Sequence, residues 1–153
     1  MQRTPATWIE PVTLSEAHVI LEPLSPSHCA ALKDAVRDGK LWKLWYTVVP
    51  EPSKMLPEIE RRLALLESGT MLPFAVIDRS TRAAVGMTTY CNIELPRRRV
   101  EIGYTWYAKR MQRTRLNTEC KLLLLRYAFE VLGCVAVEFR TSQFNWQSRR
   151  AIE

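Results

Sequence analysis

The chain has 153 residues, which suits one domain around one core. It is 47% hydrophobic and 25% charged, an ordinary balance for a folded protein, and it has no apolar run near the ~18 residues of a membrane span. Its net charge of +6 suits an anionic partner, with nucleic acid and a phosphorylated cofactor as the two candidates.

"MQRTPATWIEP" lacks the apolar core of a secretory leader, so a cytoplasmic chain with no membrane contact is expected. Cys29, Cys91, Cys120 and Cys134 show no C-x-x-C spacing, and only His18 and His28 could join them as ligands. Neither a metal site nor a disulfide framework is expected, and the cysteines read as small apolar fillers.

In chain order, "HVILEPL" (residues 18–24) reads as a first strand. Ser25 is a suitable N-cap and Pro26 a suitable first residue for a helix that ends at Gly39. "LWKLWYTVVP" is aromatic and irregular, a short helical turn. A second helix runs from about Pro57 to Gly69, with Ile59, Leu63 and Leu66 at helical spacing. Strands follow over residues 74–79, 83–94 and 99–107, joined by hairpin loops and therefore antiparallel.

A helix is expected over residues 118–133, where Leu122, Leu125, Ala128, Phe129 and Leu132 form an apolar stripe. "CVAVEFRT" (residues 134–141) is a fifth strand, and a last helix begins at the N-cap residue Asn145. No internal repeat or linker is present. The order is strand, two helices, three strands, helix, strand, helix. This is an α/β or α+β layer with a mixed sheet. The unit spanning residues 100–141 should be a parallel pair with a right-handed crossover.

"QRTRLNTE" (residues 112–119) lies where a strand hands over to a helix. Unpartnered N–H groups and the helix dipole make such a junction an anion site. The stretch has no glycine and two arginines, Arg113 and Arg115. It is either a phosphate site built without glycine or a basic connector. Asn117 tolerates a positive φ and could replace one glycine.

Residues 100–153, "VEIGYTWYAKRMQRTRLNTECKLLLLRYAFEVLGCVAVEFRTSQFNWQSRRAIE", resemble the GNAT superfamily of acetyl-CoA-dependent N-acetyltransferases. Within it they are most similar to the branch of ribosomal-protein N-terminal acetyltransferases. The likeness extends more weakly over residues 18–94. It implies a mixed, mostly antiparallel central sheet flanked by helices, and acetyl-CoA as co-substrate with no metal.

The family's pyrophosphate loop reads Q/R-x-x-G-x-G/A. Gln112 matches its first position, while Arg115 and Asn117 stand at its two glycine positions. The arginine is a departure; it either grips the cofactor from outside or loosens the wrap of the loop. The resemblance implies cofactor contacts from Gln112, Arg113, Thr114, Arg115, Leu116, Asn117 and Thr118. It implies a strand-like edge for the pantetheine arm at Trp106, Tyr107 and Ala108. Asn145 and Ser148 match the N-x-x-S that the family places beside the pantetheine arm and sulfur.

The implied reaction is direct attack of a primary amine, from a protein N-terminus or a small molecule, on the thioester. Ser148 is assigned to the departing thiolate. Glu101 is assigned as base, with an exposed cross-strand ion pair as its alternative. Trp42, Trp45 and Tyr46 would wall the acceptor pocket, or belong to the core.

Family members continue with a closing hairpin, so the end of the usual fold is missing from this sequence. An open sheet edge would then invite a second copy, a homodimer. Two rival readings stand beside the enzyme. One is an acyl-CoA-binding module with little catalysis. The other is a basic nucleic-acid-binding domain, which lacks a recognition motif.

Overall fold

"HVILEPL" does form a strand. In the computed structural model, whose described residues are 8–46 and 48–153, it is β2 (Val19–Pro23), preceded by a two-residue β1 (Leu14–Ser15) that the sequence pattern did not mark. Ser25 caps a short 3₁₀ turn, accepting from the Ser27 N–H at 3.1 Å, while His28 reaches back to the Ser25 N–H. The chain then runs through α1 (Cys29–Arg37) and a 3₁₀ turn at Leu41–Lys43 to α2 (Met55–Glu67), which starts two residues before Pro57. The strands β3 (Leu72–Asp78), β4 (Ala83–Glu94) and β5 (Arg99–Tyr107) follow. After them come α3 (Arg115–Arg126), a π-helical extension at Tyr127–Val131, β6 (Ala136–Phe139) and α4 (Trp146–Ile152).

The strands form one sheet in sequence order, β1-β2-β3-β4-β5-β6. All neighbours are antiparallel except β5 and β6, which pair in parallel across α3. Side chains alternate between faces. On one face Val19, Leu21, Phe74, Val76, Tyr90, Val100 and Ile102 pack under Leu116, Cys120, Leu123 and Leu124 of α3. On the other, Ala75, Ile77, Met87 and Trp106 pack under Leu32, Ala35 and Val36 of α1 and Met55 and Ile59 of α2.

Two irregularities in β5 position the site. Met87 stands opposite Trp106 and Thr89 opposite Gly103, so β5 carries one extra residue, a β-bulge. Tyr104 absorbs it with a φ of 49°, unusual for a residue with a side chain. In addition, β5 pairs with β6 only from Arg99 (opposite Ala136) to Ile102 (opposite Phe139). Residues 103–107 continue without a partner on that side.

Candidate active site

α3 begins at Arg115, three residues earlier than the sequence pattern suggested. Thr114 is the reason: its hydroxyl accepts from the Leu116 N–H at 3.3 Å and donates to the Met111 carbonyl at 2.7 Å. The positive φ of the loop belongs to Arg113, at 60°, not to Asn117, which sits inside the first helical turn. Both glycine positions of the family pattern, Arg115 and Asn117, are therefore ordinary helical residues here. The N–H groups of Thr114, Arg115 and Asn117 have no place in the helix ladder, whereas that of Thr118 is the first the ladder uses. Leu116 is buried in the core, so only its backbone faces the loop.

The other basic and polar groups of the loop are partly committed. Gln112 donates to the Tyr107 carbonyl at 3.1 Å and accepts from Gln147 of α4 at 2.8 Å. Arg110 is held by Asp38, through both its backbone N–H (2.9 Å) and its guanidinium (3.3 Å). Arg115 lines a cleft of about 540 Å³ with His18, Asp78, Arg79, Ser80 and Thr114. Burial alone would raise the neighbouring Glu119 carboxyl. Hydrogen bonds from the His18 ring and N–H, at 2.6 and 2.8 Å, with the charges of His18 and Arg115, more than offset that and hold it down.

Of the three residues assigned to the strand-like edge, Trp106 and Tyr107 end the unpaired segment of β5. The Trp106 indole N–H is buried without a partner among the described residues. The Tyr107 ring faces α3, and burial pushes its phenol well up. Ala108 differs from these two. Its N–H donates to the Val85 carbonyl at 2.8 Å and its own carbonyl accepts from Met111 at 2.9 Å, so its backbone is already engaged.

Glu101 lies on the α1/α2 side of β5, opposite Cys91, and is 7% exposed. A cross-strand ion pair does form, with Arg140 beyond the end of β6 and not with the arginines that precede Glu101. Arg99 pairs with Glu138 instead, and Glu101 Oε2 accepts from Asn92 Nδ2 and lies 3.6 Å from Arg140 Nε. Burial, then the Glu101 charge, pushes the adjacent Cys91 thiol up to about 12, which keeps it protonated. Arg62 of α2 is 1% exposed. It donates to Glu58 at 2.9 Å and to the Tyr104 carbonyl at 3.2 Å, pinning the bulge, and its Nη1 is buried without a partner among the described residues. Arg62, Asn92 and Arg140 were missed from the sequence. The one available signal was an arginine inside the apolar register of Met55, Ile59 and Leu66.

Asn145 Oδ1 caps α4, accepting from the Ser148 N–H at 3.0 Å. Ser148 is half-buried in the first turn of α4. Trp42 lines a second cleft of about 440 Å³ with Val49, Lys54, Glu58, Arg61 and Tyr104. Trp45 is exposed, 5.6 Å from the Tyr46 ring and 5.3 Å from Phe144, so this loop touches the segment that leads into α4.

A strand parted from its parallel neighbour thus stands beside a helix start with free N–H groups. Residues 18–153 match the family model described as Acetyltransferase (GNAT) domain. The chain belongs to the GNAT acetyltransferase family. Among solved structures, a GCN5-related N-acetyltransferase from Brucella melitensis is 26% identical at a TM-score of 0.80, covering 94% of this chain. The chain spans only 66% of that protein's length. An acetyltransferase-like protein from T. thermophilus is 28% identical at a TM-score of 0.80, over 95% of this chain and 75% of that one. RimJ from Mycobacterium smegmatis, solved with CoA-disulfide, shares the fold at 18% identity and a TM-score of 0.79, over 93% of this chain and 73% of that one. No curated protein matches the sequence.

Proposed function

We propose that the protein transfers the acetyl group of acetyl-CoA to a primary amine, a protein N-terminus or a small molecule. One observation carries this reading: residues 103–107 of β5 run free of β6 directly before the loop that opens α3. A free strand edge can hold the amides of an extended arm as a further strand. The N–H groups of Thr114, Arg115 and Asn117 can hold a pyrophosphate. The fit is supported by the donor set: an anion-binding helix start with the positive Arg113 and Arg115 beside it, where Glu119 is already held by His18 and Asp78, in the same cleft, by Ser80 and Thr81.

Acetyl-CoA supplies an activated acyl group on a thioester. The chain's own residues do the rest. Backbone N–H groups where β5 leaves β6 hold negative charge on oxygen, a contribution of several kcal/mol, roughly 3–4 in comparable sites. Glu101 takes a proton from the amine, directly or through water, and Ser148 donates toward the thiolate. The Asn145 side chain, its Oδ1 used as a cap, has its NH₂ left to donate to the pantetheine arm. Trp42, Trp45 and Tyr46 wall the acceptor side, where Lys54 and Arg61 line the cleft with Glu58.

The test is CoA release from acetyl-CoA in the presence of a panel of N-terminally free peptides and simple amines. Thiol release with at least one acceptor is expected. Saturable acetyl-CoA binding without thiol release across the panel would leave an acyl-CoA-binding module, and a melting temperature unmoved by acetyl-CoA would end both readings. Glu101→Gln should lower kcat about a hundredfold. Ser148→Ala should lower kcat with less effect on acetyl-CoA binding, and unchanged turnover would remove Ser148 from the mechanism.

A further inference from the structure

Two glycines sit inside the β4–β5 pair, and they differ in kind. A Cβ on Gly86 would come within 2.3 Å of the Trp106 carbonyl oxygen, so backbone contact forbids any side chain there. A Cβ on Gly103 would meet only side chains: Cys91 Sγ at 3.2 Å and Glu101 Oε1 at 3.4 Å. Gly103 also lacks the left-handed φ that would demand glycine. The fold therefore has no strong need of glycine at 103. What an added methyl would fill is the space at one oxygen of Glu101.

That oxygen is the free one. Oε2 is engaged by Asn92 and Arg140, while among the described residues Oε1 makes no hydrogen bond. Gly103 is also the first residue of β5 beyond the last β6 pairing, Ile102 with Phe139. The open space thus lies where the strands part, which is where the reacting amine must come. Cys91, the other wall of the space, remains a neutral thiol and does not compete for a proton.

We propose that Gly103 is a positioning residue: its missing side chain keeps Glu101 Oε1 open to the acceptor amine or to one bridging water. This rests on Glu101 being the base. In the step, an N–H bond of the acceptor ammonium breaks and an O–H bond forms on Oε1. A neutral amine and a protonated carboxyl result, and the carboxyl later releases the proton to solvent. No oxidation or reduction is involved. A residue with a Cβ at 103 would crowd the path of that proton without touching the cofactor loop at residues 113–117.

The experiment compares four variants of the full chain with the parent: Glu101→Gln, Gly103→Ala, Cys91→Ala, and Cys91→Ala with Gly103→Ala. Each is assayed with acetyl-CoA and the fastest peptide or amine of the panel, alongside melting temperature. Gly103→Ala should lower kcat about tenfold or more, with KM for acetyl-CoA within about twofold of the parent. Cys91→Ala alone sets the reference rate for the double variant. The double variant removes the 3.2 Å contact with Cys91 but keeps the methyl on Oε1, and it should remain slow. If Cys91→Ala restores turnover to Gly103→Ala, the defect was packing and the proposal is overturned. Parental kcat in Gly103→Ala with a slow Glu101→Gln overturns the proposal but leaves the base assignment standing. Parental kcat in Glu101→Gln removes the base assignment, and the proposal with it.

Discussion

Under α3 the sheet buries Phe74, Tyr90, Val100 and Ile102 against leucines; under α1 and α2 it buries Arg62 and Glu101 beside Met87 and Trp106. Polar groups on the α3 side are few and satisfied: the Tyr90 hydroxyl donates to the Leu124 carbonyl and the Trp8 indole donates to the Leu132 carbonyl at 2.9 Å. The α1/α2 side instead retains two buried donors without partners among the described residues, Arg62 Nη1 and Trp106 Nε1. Burying charge costs several kcal/mol unless geometry repays it, and apolar residues of like volume are often no worse for stability. A face built for stability alone would not carry this. The contrast says that α3 holds the sheet together, and that the charged face holds the bulge that opens β5.

The division can be broken at its strongest point first. Leu124→Ala, in the α3 face, should cost about 2–5 kcal/mol in urea unfolding and leave turnover per folded molecule near the parent value. Lost turnover at an unchanged midpoint would erase the distinction between the faces. Arg62→Met should cost less, about 1.5–3 kcal/mol, because Glu58 keeps Arg61. Its turnover should nevertheless fall roughly ten- to a hundredfold, as the Tyr104 carbonyl loses its anchor and β5 shifts. Smaller again is Asn145→Ala, about 1 kcal/mol, read as faster amide exchange confined to α4, with Asn145→Ser largely restoring protection.

The smallest effect appears only in acid. Glu119 on α3 and Glu58 on α2 both have carboxyls held below the usual range; burial pushes each up, and His18 for one and Arg61 with Arg62 for the other more than reverse it. Stability from such groups is present above the unfolded carboxyl value of about 4 and is lost as pH falls through the lower folded value. Melting temperature followed down from about pH 6 to 3 should decline less steeply in Glu119→Gln than in the parent. An unchanged slope would assign the acid sensitivity to the other face, where Glu58→Gln tests it.

Much of this frame was legible because it is local. The runs 83–94 and 99–107 coincide with β4 and β5, since alternation and turn residues mark both ends. Asn145 was legible as a cap for the same reason. The start of α3 was misplaced because Thr114 caps it without a glutamate three residues on, and because positive φ was sought at asparagine and not at Arg113. The bulge at Tyr104 could not be read, as nothing in a tyrosine announces a left-handed backbone. Nor could the burial of Glu101, whose partners Asn92 and Arg140 come from two other segments and meet only in the folded sheet.

One detail of the loop bears on how such chains are found. With the left-handed turn at Arg113 and the helix already under way at Arg115, neither of the two glycine positions of the pyrophosphate pattern is constrained by backbone conformation. Substitution there is open to drift, and the side chain at 115 can change without rebuilding the turn. A signature spelled in glycines would pass over this sequence, whereas one spelled in backbone angles would not.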